Sequence, residues 1–575
     1  MKKEWKSNNY NNVRQIVEAH THMSAEEFLH PQKDPYLVGL KEAVQFVKLM
    51  LTAKVPIHIV GDYDVDGEMS SAILKLCLEA FGGYPVHVRL PKRFSEGYGL
   101  SMKIIDEISD GLIITVDNGI AALEQVKAAK AKGLSVVVID HHLPVRDPDT
   151  EKIILPEADY VIDPKAVEGS MFSEYCGAGL AYRFTKELLT EGHPIMNNLL
   201  VFASIATITD MVPLIGDNRT IVKDGLEHIN HRDVTFGLQI LLDRLKLNHV
   251  TEEDYGFLIG PVMNASGRML DDGPIDVVNM VTSLADPANP EFIRKTMYLQ
   301  DLADELVERN EKRKKTVEKD LIEAESIIRE KTLMNNNPLI VYSPNFWEGT
   351  IGILAGKLAE KYQVPCLVFT KSSAKGIAKG SGRTYGNIHL KYLLDKASDL
   401  LVGYGGHAAA AGMSIKITNI SILQHRLKSY LKTAAEVKNT KPASFYDMEI
   451  SENDIPSLMQ EVEAYAPYGI GNPKPVFRMD SFACSPVAGK FYKDLGENQI
   501  CTKFTGRNLT AIGFHLADAY KEAGEPKIMN IIGSLSKKKF QFTTTVQMEI
   551  LDFENAEDNS KSDFYMDLEK TLSFI

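Results

Sequence analysis

The sequence contains few cysteines for its length, and their arrangement predicts neither a disulfide-stabilised fold nor a cysteine-ligated metal site. Its 575 residues include five cysteines, which are scattered and form no C-x-x-C pair. An odd, dispersed set argues against a disulfide framework and against a cysteine-ligated zinc site. This pattern suits a reducing compartment, and we expect a cytoplasmic protein.

Long apolar runs are absent as well. No segment approaches the roughly 18 uninterrupted apolar residues of a membrane span, and no apolar region follows the charged start of the chain. Excess positive charge is also missing, because the formal net charge is -13 at pH 7. Proteins that coat nucleic acid need a surplus of Lys and Arg. Any nucleic-acid contact should therefore be confined to a local cleft, and some acids are available as metal ligands.

Residues 34 to 215 alternate short apolar runs with helical stretches, which predicts a parallel sheet with crossover helices. The runs are 55–60, 112–116, 136–139 and 160–162, and they are followed by Asp62, Asp117, Asp140 and Asp163 respectively. In an open α/β sheet, ligands bind beyond the carboxyl ends of the strands. The repeated acids should therefore meet at one sheet edge, which becomes the candidate active site.

The rest of the chain predicts further domains. Residues 286–332 resemble one long connecting helix, residues 337–435 a second α/β segment, and the alternating pattern beyond 445 a small β-barrel of the OB type. The fold class is thus α/β with a C-terminal barrel. The expected domains are 1–235 (catalytic, with an N-terminal helical segment), 236–335 (helical, with the connecting helix), 336–440, 441–555 (OB-fold) and 556–575 (polar tail).

The segment from Asp62 to Gly67 places three carboxylates at alternate positions after a strand. An EF-hand calcium loop also begins D-x-D-x-D-G, but it requires a Glu at its twelfth position and a helix before it. Here the twelfth position is Ile73, and a β-branched run precedes the loop. The calcium interpretation is therefore disfavoured.

A second strand ends in Asp140-His141-His142, and Asp117 and Asp210 complete a set rich in carboxylates. A lone histidine is more often structural than functional, but two imidazoles directly behind an acid at a strand end are harder to dismiss. Oxygen ligands with few imidazoles suit Mn²⁺ or Mg²⁺ better than Zn²⁺ or Cu²⁺.

These motifs resemble the DHH phosphoesterase superfamily. Asp62 to Gly67, Asp117-Asn118-Gly119, Asp140-His141-His142 and Thr209-Asp210 stand in the order of its four motifs. The stretches 93–100, 264–268 and 405–412 are similar to the RecJ branch and its DHHA1 domain. One departure is Met69, where that branch usually carries Thr, and it puts the fine structure around the metals in question.

The resemblance implies a single-stranded-DNA-specific exonuclease that works from the 5′ end and releases 5′-mononucleotides in DNA repair and recombination. It implies two metal ions, with Asp117 as a bridge, held by Asp62, Asp64, Asp66, Asp117, His141 and Asp210. His142 is expected at the scissile phosphate, and Asp140 is expected to orient His141. Arg268 and His407 complete the candidate catalytic residues.

The resemblance also implies a pocket for the terminal phosphate and a path for the strand. Arg93, Arg268, Ser381 and Arg383 would select a 5′-phosphate, and Tyr98 would either stack on a base or pack as a turn aromatic. Basic residues next to aromatics in the barrel, such as Lys503-Phe504, are similar to a single-strand track. The remaining candidates for DNA contact are Asn264, His407, Lys537, Lys538 and Lys539.

The connecting helix has an apolar stripe that is interrupted at Asn310 and Arg313. Either the stripe crosses a solvent gap there, or these two residues face the cleft between the catalytic domains.

Two other functions fit parts of the sequence. A small-substrate DHH hydrolase, such as an oligoribonuclease or a nucleotide phosphatase, would not need the barrel, and an inactive scaffold would have lost metal ligands. The expected partner is single-stranded DNA with a 5′ end, with a helicase or a single-strand-binding protein as possible recruiters, and the chain is expected to be monomeric and not to bind membranes.

Overall fold

The chain forms two compact units, seen here in a computed structural model. The structure describes residues 4–82, 86–147, 149–190, 192–434, 443–487, 490–495, 501–507, 509–514, 516–540 and 543–556. The larger unit comprises Asp34–Val212 and Thr220–Asn439, and the smaller unit Met1–Lys33, Pro213–Arg219 and Thr440–Ile575. Among the described residues, no helix is both long and apolar enough to cross a membrane.

The first sheet of the larger unit is parallel throughout, as predicted. Runs of β-branched residues give it strands buried on both faces, which is typical of parallel sheets covered by helices. Along Leu112–Val116, alternate residues pack into different apolar clusters on the two sides of the sheet. The spatial order is Val86–Arg89, Ile57–Val60, Leu112–Val116, Ser135–Ile139 and Tyr160–Ile162.

Helices surround this sheet and extend beyond it. Val65–Gly82 is buried along most of its length, and Gly177–Leu188 and Met196–Thr209 pack against it. A small hairpin joins Val145–Arg146 to Ile153–Ile154. The other helices before the long one are Leu40–Thr52, Met102–Glu107, Leu123–Ala131, Gly216–Asn230, Phe236–Arg244, Glu252–Asp254, Gly260–Met269 and Gly273–Val281, with a π-helical turn at Tyr255–Ile259.

The connecting helix runs from Phe292 to Glu330 and has 39 residues, which corresponds to about 58 Å at 1.5 Å per residue. It starts six residues later than expected, because residues 286–291, which include Pro290, form a loop of turns and bends instead of helix. Leu299, Leu302 and Leu306 pack into the core beneath the first sheet, whereas Ala324 and Ile328 pack into a second core. One helix is therefore anchored in both halves of the larger unit.

The second half of the larger unit is a five-stranded mixed sheet with its own helices. Its first two strands, Leu339–Tyr342 and Cys366–Lys371, pair in parallel. The remaining strands are Ile377–Arg383, Leu401–Gly406 and Ala410–Lys416, and the helices are Ile351–Tyr362, Leu390–Asp395 and Ile420–Ala434, with 3₁₀ turns at Glu348–Thr350, Ser398–Leu400 and Ile417–Asn419.

The smaller unit contains a seven-stranded sheet, in agreement with the strand-rich character expected beyond residue 445. In spatial order its strands are Met448–Glu449, Phe477–Ala483, Ile528–Phe540, Thr543–Asn555, Thr510–Phe514, Cys501–Thr505 and Tyr492–Leu495. Its helices are Val13–Thr21, Ala25–Leu29, Ile455–Ala464 and Ala517–Glu522, and a separate two-stranded sheet pairs Glu4–Ser7 with Ala443–Tyr446.

The expected assignment of the N-terminal helical segment to the catalytic domain was wrong. Residues 4–7 form a parallel pair with residues 443–446, and Val13, Ile16 and Phe28 are buried in the apolar core of the smaller unit. Pairing between the two ends of the chain is long-range, so local periodicity carries no signal for it. The other expected domain boundaries stay predictions.

Asn118 ties the edge of the first sheet together, and it yields a stability prediction. Its buried amide donates to the carbonyl oxygens of Val60 (3.0 Å) and Val116 (2.8 Å) and accepts from the amide of Leu100 (3.0 Å). Replacing it by alanine leaves buried backbone groups unsatisfied, at a cost of about 1 to 3 kcal/mol each. We expect Asn118→Ala to lower the urea midpoint markedly, whereas the exposed Asn335→Ala should leave it unchanged. Equal midpoints for the two variants would contradict this role.

Candidate functional site

The acids that follow the strands do meet at one edge of the first sheet. The amide of Asp117 donates to the carbonyl of Ile139, and that of Asp140 to the carbonyl of Ile162, so neighbouring strands end in register. Asp62, Asp117, Asp140 and Asp163 are each at most 3% exposed. The prediction that distant acids gather here is confirmed.

The first acidic turn is held in place by backbone contacts. Oδ1 of Asp64 accepts from the amides of Asp66 (3.1 Å) and Gly67 (3.3 Å) at the start of the helix Val65–Gly82. Gly67 is required here, because a Cβ would lie 2.4 Å from the amide nitrogen of Asp62. The turn thus presents its carboxylates from a fixed backbone.

Asp66 is held by a second helix as well. Its two carboxylate oxygens accept from the amides of Gly177 (2.6 Å) and Ala178 (2.8 Å), at the N-terminus of the helix Gly177–Leu188. Unpaired amides and the helix dipole favour negative charge at that position. Gly177 makes the approach possible, since a Cβ there would lie 2.7 Å from that of Asp117.

The predicted metal ligands form two neighbouring groups. Within each group, one potential ligand atom per residue lies within 4.8 Å of those of the other members. Nε2 of His141 lies 3.2 Å from Asp117, 3.5 Å from Asp66 and 3.7 Å from Asp210. The two groups are Asp62, Asp64 and Asp117, and Asp66, His141 and Asp210; a third combination joins Asp117 and His141 to His142.

The electrostatics of the cluster fit divalent cations. Burial and neighbouring carboxylates raise the pKa of Asp62, Asp117 and Asp210 well above the usual range. Burial lowers the pKa of His141 to about 4, so its imidazole is neutral and able to act as a ligand. Oδ1 of Asp62 is buried without a hydrogen-bond partner. Uncompensated carboxylates with one neutral imidazole form a donor set suited to Mn²⁺ or Mg²⁺.

The expected role of Asp140 was wrong in one respect. Its Oδ1 lies 2.8 Å from Nδ1 of His142, and its contact with His141 is to the backbone amide, so it orients the second histidine and not the first. Burial by itself lowers the pKa of His142, but the hydrogen bond to Asp140, together with the charges of that carboxylate and its neighbours, outweighs burial and the pKa is raised to about 9. The adjacent histidines therefore differ in charge, because only one ring reaches that carboxylate.

Tyr98 is packed in the turn, as one of its two expected roles requires, and its role in stacking on a base stays a prediction. Its hydroxyl donates to the carbonyl of Asp117 at 2.8 Å and lies 3.4 Å from Nε2 of His142. The ring stands edge-on to Tyr63 and is still 49% exposed. It is therefore fixed by the turn while offering a free surface beside the acids.

Arginines from separate parts of the chain form a cationic cluster near the first acidic turn. Arg93 lies 4.7 Å above the ring of Tyr63, and Arg383 donates to the carbonyl of Gly382 at 2.9 Å and to Oγ of Ser381 at 3.4 Å. Burial and Arg93 lower the pKa of Arg268 to about 9, with smaller effects from Arg313 and Arg383.

The four arginines of this cluster, Arg93, Arg268, Arg313 and Arg383, make no ion pair with any residue that the structure describes. Arg313 donates instead to the buried Asn310 of the same helix at 3.0 Å, and its charge acts on Arg268. Unpaired, partly buried guanidinium groups are suited to binding phosphate.

Part of this pocket escaped sequence reasoning. Nε1 of Trp347 donates to the carbonyl of Arg268 at 2.8 Å, and a Cβ at Gly349 would lie 1.9 Å from the same oxygen. A Cβ at Gly352 would lie 3.0 Å from Oγ of Ser381 and 3.3 Å from Arg383. The glycine spacing after Trp347 was the available signal, but glycines alone mostly mark turns.

Two residues that follow the first motif have unexpected places. Glu68 is fully buried, and neither of its carboxylate oxygens has a hydrogen-bond partner; burial, Asp64 and Asp62 raise its pKa well above the usual range. Its position directly after the D-x-D-G turn was the signal for it. Met69, which departs from the family pattern, is fully buried in the apolar core of the unit.

The remaining candidates lie in three places. His407 follows the strand Leu401–Gly406, and burial, with a smaller effect of the charge of His142, lowers its pKa. Asn264 is half-buried four residues before Arg268 on the helix Gly260–Met269. Ser381 lies beside Arg383 as expected.

The basic residues of the barrel are in the smaller unit. Lys537 and Lys538 are exposed on the strand Ile528–Phe540, and Lys537 is paired with Glu463. Lys539 is on the same strand, but its side chain, like those of Phe540 and Phe542, lies outside the described residues. Phe504, one of the aromatics of the expected single-strand track, is 1% exposed and packs against Tyr520, so it belongs to the core and offers no surface to a strand.

Comparison with known proteins places these features in a family. The model of the DHH family, N-terminal domain, matches residues 56–207, that of the DHHA1 domain matches 335–433, and that of the RecJ OB domain matches 446–552. The crystal structure of RecJ in complex with Mn²⁺ from Thermus thermophilus has a TM-score of 0.75 at 23% identity and covers 96% of this chain and 79% of that one. The fold is shared.

Two curated relatives carry the name single-stranded-DNA-specific exonuclease RecJ. That of Bacillus subtilis (strain 168) is 31% identical over 546 residues, which cover 92% of this chain and 66% of the relative. That of Haemophilus influenzae is 30% identical over 465 residues, which cover 77% of each chain. Identity at this level over most of a relative's length, with three matching domains in sequence, shows that this chain belongs to the RecJ family of DHH phosphoesterases.

Proposed function

We infer that this chain is a metal-dependent exonuclease that degrades single-stranded DNA from its 5′ end and releases 5′-mononucleotides. The observation that carries this proposal is the presence, within one unit, of a buried carboxylate cluster next to a cluster of unpaired arginines. The curated relatives are named as single-stranded-DNA-specific exonucleases. An acidic site that can hold metals and a cationic site that can hold a terminal phosphate are what such an enzyme needs.

The carboxylate cluster would hold two divalent cations, Mn²⁺ or Mg²⁺. When bound, the ions neutralise charge at the scissile phosphate and make water a stronger nucleophile. Asp117 belongs to one ligand group and touches the imidazole of the other, so it is suited to contact both ions. The proposed ligands are Asp62, Asp64, Asp66, Asp117, His141 and Asp210.

His142 would supply a fixed positive charge to the scissile phosphate. Asp140 accepts at Nδ1 and keeps the ring protonated, which leaves the Nε2 hydrogen for a phosphate oxygen. A donor fixed before the reaction stabilises negative charge without reorganisation as that charge develops. Asp140 is therefore a positioning residue, and His142 is the group that touches substrate.

The arginine cluster would bind the terminal phosphate. Hydrolysis that expels a 3′ oxygen leaves a phosphate on the 5′ end of the shortened strand, so each turnover creates the group that the pocket recognises. Arg93, Arg268 and Arg383 converge from three separate segments, and Ser381 adds a hydroxyl. Guanidinium groups bind phosphate oxygens in pairs, which favours a doubly charged terminal phosphate over a hydroxyl end.

Other groups would guide the strand. Tyr98 offers a ring face to a base, and base stacking contributes about 1 to 3 kcal/mol per base. Asn264, on the helix that carries Arg268, and His407, after the strand Leu401–Gly406, are proposed as further contacts to substrate. In the smaller unit, Lys537, Lys538 and Lys539 are proposed to contact backbone phosphates of longer strands.

Location and partners stay proposals. All five cysteines are free thiols, which suits a reducing cytoplasm. Recruitment by a helicase or a single-strand-binding protein, and a monomeric state, rest on the family resemblance alone.

Asp117→Asn tests the metal site with little change in shape, since asparagine also tolerates the left-handed backbone that Asp117 adopts (φ 59°). The pKa of Asp117 is raised above its unfolded value of about 3.9, so its ionised form weakens the fold above that pH. The metal-free variant should therefore melt at a higher temperature than the parent, with the difference growing as pH rises from about 4. Differential scanning fluorimetry in EDTA measures it.

The same variant should lose both hydrolysis and the stabilisation caused by Mn²⁺. Removing a shared ligand should lower kcat at least about a hundredfold, since metals contribute several kcal/mol. The matched control is Asp106→Asn, an exposed acid on the helix Met102–Glu107. A variant that retained the Mn²⁺-induced rise in melting temperature would exclude Asp117 as a ligand.

Arg383→Ala should remove the preference for 5′-phosphorylated over 5′-hydroxyl strands, because the pocket loses a guanidinium that no other group replaces. The measurement is the ratio of kcat/KM for the two substrates. Arg426→Ala, an arginine of the same domain paired with Asp399, serves as control and should keep the parental ratio. An unchanged ratio in Arg383→Ala would refute the pocket assignment.

Joint substitution of Lys537 and Lys538 by alanine tests the barrel track. Binding to long strands should weaken more than binding to strands shorter than about 10 nucleotides, because a long strand offers additional backbone phosphates to these lysines. Fluorescence anisotropy with both lengths measures this. Lys521→Ala, whose lysine pairs with Asp494 in the same unit, is the control. Equal losses at both lengths would argue against guidance by these lysines.

A further inference from the structure

Lys165 is a lysine at the catalytic edge of the first sheet that neither motifs nor family resemblance drew attention to. The strand Tyr160–Ile162 pairs with Ser135–Ile139 in register, with Ile162 opposite Ile139. The residues that follow these strands, Asp163 to Lys165 and Asp140 to His142, therefore leave the sheet side by side. Lys165 belongs by position to the same edge as the histidines.

The turn that carries Lys165 is fixed. Oδ1 of the buried Asp163 accepts from the amides of Lys165 (2.8 Å) and Ala166 (3.1 Å). A side chain that bonds the backbone two residues on is an Asx turn, which holds a loop without any secondary structure. The backbone of Lys165 is thereby positioned independently of its own side chain.

The ammonium group of Lys165 has no counterion of its own. Across the described part of the chain, its Nζ makes neither an ion pair nor a hydrogen bond, although the residue is half-buried. The carboxylate nearest in sequence, Asp163, is engaged with backbone amides. A half-buried unpaired ammonium is costly unless an anion binds to it.

The charge of Lys165 reaches groups on four separate segments. Burial is the largest cause of the shifted pKa of His141, His407, Asp163 and Asp210. The charge of Lys165 acts on the same four groups: it adds to the lowered pKa of the two histidines and opposes the raised pKa of the two aspartates. These groups come from two strand ends of the first sheet, from the end of the helix Met196–Thr209, and from the second half of the unit. By the register of the two strands, Lys165 leaves the same sheet edge as His141, and its charge acts on the ligand group that contains His141 and Asp210.

The arginines act on the other ligand group. Arg93 affects the pKa of Asp62, and Arg268 interacts with Asp64. The carboxylates thus have one cationic region beside Asp62 and Asp64 and another beside Asp210. A strand whose terminal phosphate lies on the arginines and whose scissile phosphate lies at the carboxylates would bring its next phosphate to the second region.

We propose that Lys165 forms a second phosphate subsite, which binds the internucleotide phosphate on the 3′ side of the scissile bond. The inference rests on the proposed function for the direction of the strand. One lysine per phosphate is the usual unit of sequence-independent binding, and it keeps the strand in line as the terminal nucleotide leaves.

The test couples one lysine to one phosphate in the full-length protein. The probes are 5′-phosphorylated oligonucleotides with a single uncharged methylphosphonate at the second linkage from the 5′ end, or at the sixth. Affinity is measured by fluorescence anisotropy without divalent cations, so that no cleavage occurs. In the parent protein, the uncharged second linkage should weaken binding about five- to tenfold. In Lys165→Ala the same substitution in the DNA should have no further effect.

Three comparisons make the result specific. Lys165→Arg retains the charge and should keep the parental sensitivity, and Lys41→Ala, an exposed lysine of the same unit, should behave as the parent. At the sixth linkage all proteins should respond alike. If Lys165→Ala loses as much affinity as the parent from the uncharged second linkage, or couples to the sixth linkage instead, the subsite is refuted.

Failure of the proposed function would look different. A parent protein that degrades labelled strands only from the 3′ end, or not at all with Mn²⁺ present, would refute the exonuclease proposal through its products. The coupling between Lys165 and a single phosphate is measured as an affinity without divalent cations. Its result is therefore independent of the result of the cleavage assay.

Discussion

The mutual repulsion of buried carboxylates is the constraint on which the rest of the structure depends. Asp62, Asp117 and Asp210 are forced together by the ends of two parallel strands and a helix, and each has a raised pKa. Packing must supply the free energy that holds them there, since ionised groups in an apolar setting repel strongly. Hydrogen bonds from backbone amides offset part of that repulsion. Two amides at a helix N-terminus donate to Asp66, and an amide of the first acidic turn donates to Asp64.

The arginine cluster gathers positive charges that repel one another, as the carboxylates do with negative charge. One long helix connects the two halves of the unit to which these clusters belong. Phe292–Glu330 contributes apolar residues to both cores of the larger unit and places Arg313 between them. A rigid element anchored at both ends fixes the separation of a cationic and an anionic cluster, which loops could not do. Because the arginines and the carboxylates do not pair with each other, the arginines remain available to phosphates of a substrate and the carboxylates to divalent cations.

Parts of this arrangement were predictable because short sequence patterns encode them. Strands that end in acids reveal the sheet edge, and the interrupted apolar stripe marked Asn310 and Arg313 as exceptional without deciding between a solvent gap and the cleft. Contacts between distant segments were not predictable. The pairing of residues 4–7 with 443–446, the preference of Asp140 for the second histidine and the contact of Trp347 with Arg268 depend on tertiary geometry, for which local periodicity has no signal.

The net charge of -13 acquires a physical meaning from this geometry. A negative protein repels DNA at long range, and that repulsion is screened beyond about 8 to 10 Å at moderate salt. Near the catalytic edge, attraction comes from the arginine cluster and from Lys165, which form no ion pair with the residues that the structure describes. A strand must therefore enter far enough to reach these groups before binding becomes favourable. Such a charge distribution favours a thin, flexible single strand over a rigid duplex, whose second strand would remain in the repulsive region.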